Sequence, residues 1–463
     1  MPNHQSKIEN RKSPIPSRRQ FLRVTGAAAA TLALARLAPL FAADAARRPN
    51  VLFILADDLG YGDVGCYGGR DIPTPHIDAL AAAGLRFTDG YASAPVCAPS
   101  RAGFLTGRYQ QRFGLEENPG AVSNLNRETY GLPLSERTIA DEMKSAGYAT
   151  GIVGKWHLGV AERFGPLRRG FSECFAFLEA WHNYVNLRQD PRIIYRNDKP
   201  HVETAEYLTD ALTREGVEFI RRNRARPWFL FMSYSAPHTP IQATGRYLDR
   251  FPHIADPARR TYAAMVSALD DGVGELMKAL RELDLEENTL VFFVSDNGAP
   301  LHLTSSVTGQ ERPIDVGSNA PFSGRKGQLL EGGIRVPFIA HWKGRIAPGV
   351  CPHPVTMLDI LPTSLAVAGA APPAGRTIDG VNLLPLLSGQ SNAAPHEILF
   401  WRIGTQAAVR RGNWKLVRVD GGPWRLYDLA VDAVEANDLA QANRKVYDEL
   451  LAAYRGWEAQ LKG

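Results

Sequence analysis

The chain has 463 residues, of which 44% are hydrophobic and 22% are charged, an ordinary balance for a globular protein. This composition excludes a chain that is disordered, collagen-like or coiled-coil along its whole length, and the length allows one large domain with a smaller one beside it. With 53 Lys and Arg against 48 Asp and Glu, the formal net charge is +5, which on its own points to an anionic partner such as nucleic acid.

The charge excess lies in the first 45 residues, which are predicted to be an export signal. They hold seven basic and two acidic residues, so the rest of the chain is formally neutral and no nucleic-acid partner is expected. The pair Arg18 and Arg19 resembles a twin-arginine motif, an apolar stretch follows, and Ala43–Ala45 is typical of a cleavage site. We therefore expect a bacterial protein exported by the twin-arginine translocase to the periplasm or medium, with residues 1–45 removed. The alternative, an uncleaved membrane anchor, is disfavoured because the apolar run is short and Arg36 interrupts it, so no stable membrane span is expected after cleavage.

Short apolar runs that alternate with helical patterns predict an α/β fold from Pro49 onward. The run Val51–Ala56 is typical of a strand buried on both faces, and Thr74 with Pro75 is typical of a helix start. Further helices are predicted at Ser135–Gly147 and Pro257–Leu283, and further strands at Gly151–Val153, Trp228–Tyr234 and Leu290–Ser295. We expect a large, mostly parallel or mixed β-sheet sandwiched by helices, within a domain of residues 46–375.

After a small, Pro-rich stretch around Gly369–Gly375 the pattern changes. Short strand-like segments separated by Gly-containing turns are followed by a helical pattern at Asn443–Leu461. The segments are Ile398–Arg402, Ala407–Arg410, Trp414–Val419 and Trp424–Asp428. Residues 376–463 are therefore predicted to form a smaller α+β subdomain, a small C-terminal antiparallel sheet with a helix.

Several predicted strands end in polar residues that packing does not require. The first strand runs into Asp57 and Asp58, and a later one runs into Asp296 and Asn297. Sites in open α/β sheets lie outside the carboxyl ends of the strands, so these oxygen donors are expected to meet. Adjacent acids repel one another unless a cation lies between them, and a hard ion, Ca²⁺ or Mg²⁺, suits oxygen ligands. Strand ends at the same edge also bring Lys155, His157 and His238 there.

Other residues of these types are expected to be structural. The pair Asp270 and Asp271 falls inside a helical pattern and is predicted to be a solvated helix face. The widely spaced Cys66, Cys174 and Cys351 form no C-x-x-C pair, so a zinc cluster is not expected. His182, in a loop, remains open as a substrate contact.

Cys97 differs from the other cysteines because of the residues that follow it. Pro99 and Ser100 suit the first turn of a helix, and Gly107 suits its end. Cys97 is therefore predicted to lie just before a helix N-terminus, where the dipole and free amides favour an anion. Arg101, one turn further on, is expected to point to the same place.

This segment resembles the signature of the type I sulfatases, in the alkaline phosphatase-like superfamily. The match is Cys-x-Pro-Ser-Arg at 97–101 with Leu-Thr-Gly at 105–107. Further matches follow in order at Gly154–Gly159, Ala236–His238, Asp296–Gly298 and Gly327–Pro337. The resemblance extends from about Asn50 to the C-terminus and implies that a maturation enzyme oxidises Cys97 to Cα-formylglycine.

The resemblance also implies roles for the site residues. Asp57, Asp58, Asp296 and Asn297, with an oxygen of the formylglycine at position 97, would bind one Ca²⁺. One oxygen of the hydrated aldehyde would attack the sulfur of a sulfate ester, with Arg101 stabilising and orienting it. Lys155, His238 and Lys326 would bind the sulfate oxygens. His238 or Lys326 would protonate the leaving alcohol, and His157 would take a proton from the second oxygen of the diol.

The favoured function is an exported hydrolase of sulfate esters, with a sulfated small molecule or glycan as partner. One alternative is a phosphonate or phosphodiester hydrolase of the same superfamily, and another is a glycan-binding protein in which Cys97 is never converted. The substrate is not predicted, because specificity lies in loops. The candidate loops are Glu116–Tyr130, Phe175–Arg192 and Thr304–Pro321.

Overall fold

The computed structural model describes residues 48–119, 128–300 and 316–461. The predicted leader lies outside the described residues, and so do parts of two candidate substrate loops, residues 120–127 and 301–315. Within the described ranges, none of the helices combines the length and the apolar character that a bilayer crossing needs.

A large mixed sheet is present, as predicted, and it has ten strands. The strands are β1 (Asn50–Ala56), β2 (Leu85–Phe87), β4 (Ala149–Lys155), β5 (Glu173–Phe177), β6 (Ile194–Arg196), β7 (Lys199–His201), β8 (Trp228–Ser233), β9 (Thr289–Ser295), β10 (Phe338–His341) and β11 (Gly349–Cys351), while β3 (Gly90–Tyr91) and β12 (Val355–Thr356) form a separate pair. Five parallel neighbours, in the spatial order β9-β1-β8-β4-β5, occupy the middle of the sheet, and the outer strands β10 and β6 are antiparallel to them. Because the parallel strands end on one side, their carboxyl ends form a common edge.

Helices cover both faces of this sheet, which explains why its strands are apolar on both sides. In β1 the alternate residues Leu52 and Ile54 belong to one core cluster, and Val51, Phe53 and Leu55 to the other. The first face carries α1 (Pro75–Ala83), α4 (Leu208–Asn223) and α6 (Pro257–Glu282), and the second carries α2 (Cys97–Thr106), α3 (Ile139–Ser145) and α8 (Ile360–Val367). Shorter helices are α5 (Gly245–Leu248), α7 (Glu331–Ile334) and α9 (Leu384–Leu387).

A small antiparallel sheet follows near the C-terminus, so the predicted fold class is confirmed. Its strands are β13 (Ile398–Ile403), β14 (Gln406–Arg411), β15 (Trp414–Arg418) and β16 (Arg425–Asp428), and α10 (Arg444–Gln460) packs on one face. Residues Leu383 and Leu387, just before this sheet, pack into the large core. The domain boundary at 375 stays a prediction.

A buried ion cluster joins the small sheet to the large domain. The Nζ atom of Lys415 lies 2.8 Å from a carboxylate oxygen of Glu331 and 2.8 Å from one of Glu435, and all three side chains are fully buried. Arg335 also pairs with Glu331, at 3.2 Å. Breaking one member would leave a charge buried without its partner, so the cluster resists separation of the two sheets.

Two local predictions need correction. Asp270 is not on a solvated face: it is buried and accepts hydrogen bonds from the backbone amides of His76 and Ile77, at the start of α1. Helix starts leave amides unpaired, so a carboxylate from α6 stabilises this one. Cys97 is the first residue of α2 rather than the residue before it, since Val96 is the N-cap.

Candidate active site

The carboxyl ends of the central parallel strands bring the predicted site residues together. Ala56 is the register partner of Ser295, so Asp57 and Asp296 leave neighbouring strands side by side. Lys155 ends β4, and His238 follows β8 by a short turn. Residues far apart in sequence therefore meet at one edge because their strands pair in parallel.

Asp57 accepts two cations on the same carboxylate oxygen. Its Oδ2 lies 2.5 Å from Nζ of Lys155 and 3.5 Å from Nη2 of Arg101. Arg101 also approaches Asp296, with Nε and Nη2 at 3.1 and 3.0 Å from Oδ2. All four side chains are fully buried. The guanidinium of Arg101 therefore fixes the two carboxylates relative to each other.

Asp58 has hydrogen-bond and ion-pair partners that differ from those of Asp57. Its two carboxylate oxygens are 2.6 and 2.8 Å from Nζ of Lys326, and Oδ1 accepts a hydrogen bond of 2.7 Å from the side-chain amide of Asn297. Asp58 has a φ of 67°, a left-handed conformation that is uncommon for residues other than glycine. Such strain concentrates at functional sites, where the surroundings enforce it.

Cys97 faces these groups from the start of α2. Ligand atoms of Cys97, Asp57, Asp58 and His238 all lie within 4.8 Å of one another, and Cys97 is buried. The helix begins here because Val96 has an extended conformation, and it ends at Gly107, whose φ of 64° gives a left-handed cap. The thiol therefore belongs to the cluster of charged groups.

The two predicted histidines differ in their surroundings. Both ring nitrogens of His157 are buried without a hydrogen-bond partner among the described residues, and its φ is 58°. His238 has Nδ1 2.6 Å from the carbonyl oxygen of Thr239, and Nε2 3.7 Å from Asp58. Since a carbonyl only accepts, Nδ1 carries the proton, and Nε2 is left to face the site.

The electrostatics follow from crowding charges in a buried space. Burial would raise the pKa of Asp57, but Lys155, and less strongly His238 and Arg101, lower it well below its ordinary value. Burial and the charge of Asp57 raise the pKa of Asp296. Burial, followed by Lys155, lowers the pKa of both His157 and His238. Burial opposes the positive charge of Lys326, but Asp58 outweighs it and raises the pKa of that lysine.

The structure also reveals residues that the sequence analysis missed. Ser233, at the end of β8, accepts a hydrogen bond of 2.6 Å from Nη1 of Arg101 and donates one of 2.6 Å to the carbonyl of Lys155. Gln406, in the small sheet, donates to the carbonyl of Gly327 at 2.7 Å and accepts from the amide of Leu329 at 3.1 Å. It thereby holds the segment that carries Lys326. Ser233 is recognisable in the sequence as a polar residue at the end of a predicted strand. No sequence pattern indicates a role for Gln406.

Two unpaired oxygen atoms indicate that this site suits a cation. Asp57 Oδ1 and Asn297 Oδ1 are buried and have no hydrogen-bond partner among the described residues. Buried polar atoms are normally satisfied, so these two acceptors without donors leave positions that a cation would fill. Together with Asp58 and Asp296 they form an oxygen-only donor set, which is the chemistry that hard divalent cations require.

Comparisons with known proteins agree with this geometry. The sulfatase family model matches residues 49–370. N-acetylgalactosamine-6-sulfatase of Canis lupus familiaris is 38% identical over 397 residues, which cover 82% of this chain and 73% of that protein. Steryl-sulfatase of Mus musculus is 36% identical over 449 residues, covering 80% and 70% respectively. The crystal structure of Ps i-CgsB in complex with k-i-k-neocarrahexaose, 36% identical, matches 89% of this chain and 93% of that chain with a TM-score of 0.81. The chain therefore belongs to the sulfatase family and is a sulfuric ester hydrolase.

Proposed function

We propose that this sulfatase hydrolyses sulfate esters of carbohydrates, with Cys97 converted to formylglycine and one Ca²⁺ bound beside it. The single observation that supports this most is the position of Cys97, buried at the start of α2 and within 4.8 Å of Asp57, Asp58 and His238. The carbohydrate class is supported by two relatives: one named for N-acetylgalactosamine 6-sulfate chemistry, the other crystallised with a neocarrahexaose.

Asp57, Asp58, Asp296 and Asn297 would hold the calcium ion. The unpaired Oδ1 atoms of Asp57 and Asn297 support this assignment. When bound, the ion supplies positive charge next to the sulfate group. Lys326 and Lys155 pair with Asp58 and Asp57 at this site, and their ammonium groups would bind the sulfate oxygens.

The residue at position 97 supplies the nucleophile, since the hydrated aldehyde of formylglycine carries a geminal diol. Arg101 orients this residue indirectly, because its guanidinium already contacts both Asp57 and Asp296. His238 holds its Nδ1 proton against Thr239, so it would protonate the leaving alcohol from Nε2 only when the ring carries a second proton. Lys326, whose pKa is raised by Asp58 so that its ammonium group keeps its proton, is the other candidate donor. His157, whose ring nitrogens have no partner among the described residues, is free to take a proton from position 97.

The remaining proposals concern where the protein matures and acts. Residues 1–45 direct twin-arginine export to the periplasm or medium, residues 46–375 form the catalytic domain, and residues 376–463 form the C-terminal subdomain. Since twin-arginine export carries folded proteins, the formylglycine-generating enzyme would have to act on Cys97 in the cytoplasm. No nucleic acid and no stable membrane span are expected.

The test compares esters of one chromogenic alcohol. The kcat/KM for 4-nitrophenyl sulfate is expected to exceed that for bis(4-nitrophenyl) phosphate, and the Cys97→Ala variant is expected to lose both activities. A faster phosphodiesterase reaction would support the alternative hydrolase instead. A panel of sulfated mono- and oligosaccharides that differ in sulfate position then identifies the carbohydrate.

A further inference from the structure

The loop between β5 and β6 carries an unusual exposed aromatic side chain. Trp181 is 37% exposed, and it is the only aromatic residue among the exposed large hydrophobic side chains of the described ranges. Two of those side chains, Trp181 and Ile193 (42% exposed), belong to this same loop. An exposed tryptophan presents apolar area that a ligand could cover.

Hydrogen bonds on both sides place this loop at the rim of the active site. Before Trp181, the amide of His157 donates to the carbonyl of Leu178 at 3.2 Å. After it, the hydroxyl of Tyr184 lies 2.9 Å from the carbonyl oxygen of His238. Trp181 is three residues from each anchor, so its Cα lies within roughly 11 Å of both, because an extended chain spans at most about 3.6 Å per residue.

The loop is held in one shape by a single carboxylate. Asp190 accepts hydrogen bonds from the backbone amide of Asn183 at 2.6 Å, and from the amide and Nη1 of Arg192 at 2.8 and 2.6 Å. The guanidinium carbon of Arg192 lies 3.0 Å from the centre of the Trp181 ring. Arg192 therefore supports one side of the indole, and little conformational entropy remains to be lost when a ligand binds.

His182, which the sequence left open as a substrate contact, has a structural role in this loop. It is buried, and its ring nitrogens lie 2.9 Å and 3.2 Å from the carbonyl oxygens of Asn183 and Arg192. Its neighbour Trp181 points outward instead. Of these two adjacent residues, the tryptophan is therefore the one available to a ligand.

We propose that Trp181 forms a stacking platform for a pyranose ring next to the sulfated sugar. The C–H face of a pyranose is apolar and flat enough to pack on an indole, while the hydroxyl groups at its edge stay in water. The charge of Arg192 is balanced by Asp190, so Arg192 supports the indole rather than offering a free cation to a second sulfate group. This inference rests on the proposed carbohydrate function and extends it from a single sulfated sugar to an oligosaccharide.

The test measures binding, so that turnover does not enter. In a Cys97→Ala background, isothermal titration calorimetry gives the Kd of N-acetylgalactosamine 6-sulfate, of a chondroitin 6-sulfate tetrasaccharide and of k-i-k-neocarrahexaose. We expect at least one oligosaccharide to bind more tightly than the monosaccharide. Adding Trp181→Ala should lower the ratio of oligosaccharide to monosaccharide affinity about tenfold, and Trp181→Phe should restore most of it.

A matched control uses a second tryptophan beneath an arginine. The guanidinium of Arg418 lies 5.1 Å from the ring centre of Trp424, in the small sheet, and Trp424→Ala should leave all three affinities unchanged. An unchanged affinity ratio in Trp181→Ala would overturn the platform, and so would oligosaccharides that bind no better than the monosaccharide. Failure of the unmutated enzyme to hydrolyse 4-nitrophenyl sulfate would instead count against the proposed function.

Discussion

Gln406 offers a way to disturb the active site from a different part of the fold. Its side-chain amide makes two hydrogen bonds, to the carbonyl of Gly327 and from the amide of Leu329, on either side of the turn that follows Lys326. A net contribution of about 0.5–1.5 kcal/mol for each bond predicts that Gln406→Ala lowers the free energy of unfolding by about 1–3 kcal/mol.

The same change should also reduce catalysis, because Lys326 loses part of its support. Two backbone bonds remain, from the amide of Lys326 to Ala299 at 3.2 Å and from the amide of Gly327 to Pro95 at 2.8 Å. The loss should therefore be partial: we expect kcat/KM for 4-nitrophenyl sulfate to fall about tenfold, equivalent to ~1.4 kcal/mol.

The matched control is Gln111, a buried glutamine of the large domain. Its side chain donates a bond of 2.7 Å to the carbonyl of Arg402 instead of to the Lys326 segment. Urea unfolding of Gln111→Ala should show a stability loss without a loss of kcat/KM. If Gln406→Ala loses stability but has the same kcat/KM as Gln111→Ala, the small sheet does not position Lys326 and the reasoning is refuted.

Three further predictions concern the ion cluster and the site. Burial raises the pKa of Glu435 to about 7, so its contribution to stability is present below the ordinary value of 4.5 and is lost as the pH rises through about 7. The Glu435→Gln variant should lose this pH dependence in thermal unfolding between about pH 5 and pH 8, and a slope equal to that of the parent would contradict the assignment. Asp296→Ala should weaken Ca²⁺ binding at least tenfold by calorimetry, equivalent to about 1.4 kcal/mol, since a carboxylate ligand is lost; unchanged affinity would remove Asp296 from the ligand set. Ser233→Ala leaves Nη1 of Arg101 with only the Lys155 carbonyl, at 3.2 Å, and should cost about 1–3 kcal/mol of stability; a cost below that range would mean that water replaces the hydroxyl.

The arrangement of the site could be predicted in part because parallel strands share one edge. That rule alone brings Asp57, Asp58, Asp296, Asn297 and Lys155 together, and the register of β1 with β9 agrees with it. Lys326 required the family resemblance, since it lies in a turn rather than at a strand end. Its 2.6 Å contact with Asp58 is a consequence of tertiary folding.

Other features left no pattern in the sequence. Gln406 contacts a segment 77 residues away, and Lys415 contacts Glu331 at a separation of 84 residues. The burial of Asp270 depends on the start of a helix 193 residues away, which the local helical pattern does not reveal. Trp181 is exposed, and its place beside the site depends on hydrogen bonds made by other residues. These are the bond from the amide of His157 to Leu178 and the bond from the hydroxyl of Tyr184 to His238. A long-range contact made by a single side chain produces no periodicity in the sequence, so periodic patterns do not predict it.

The mass of the peptide that contains Cys97 is the most direct test of the proposed nucleophile. In active enzyme purified from its own host, conversion of the thiol to the aldehyde should lower the mass by about 18 Da, and the converted fraction should follow the specific activity. Full activity from protein in which that peptide retains the unmodified cysteine mass would contradict the proposal.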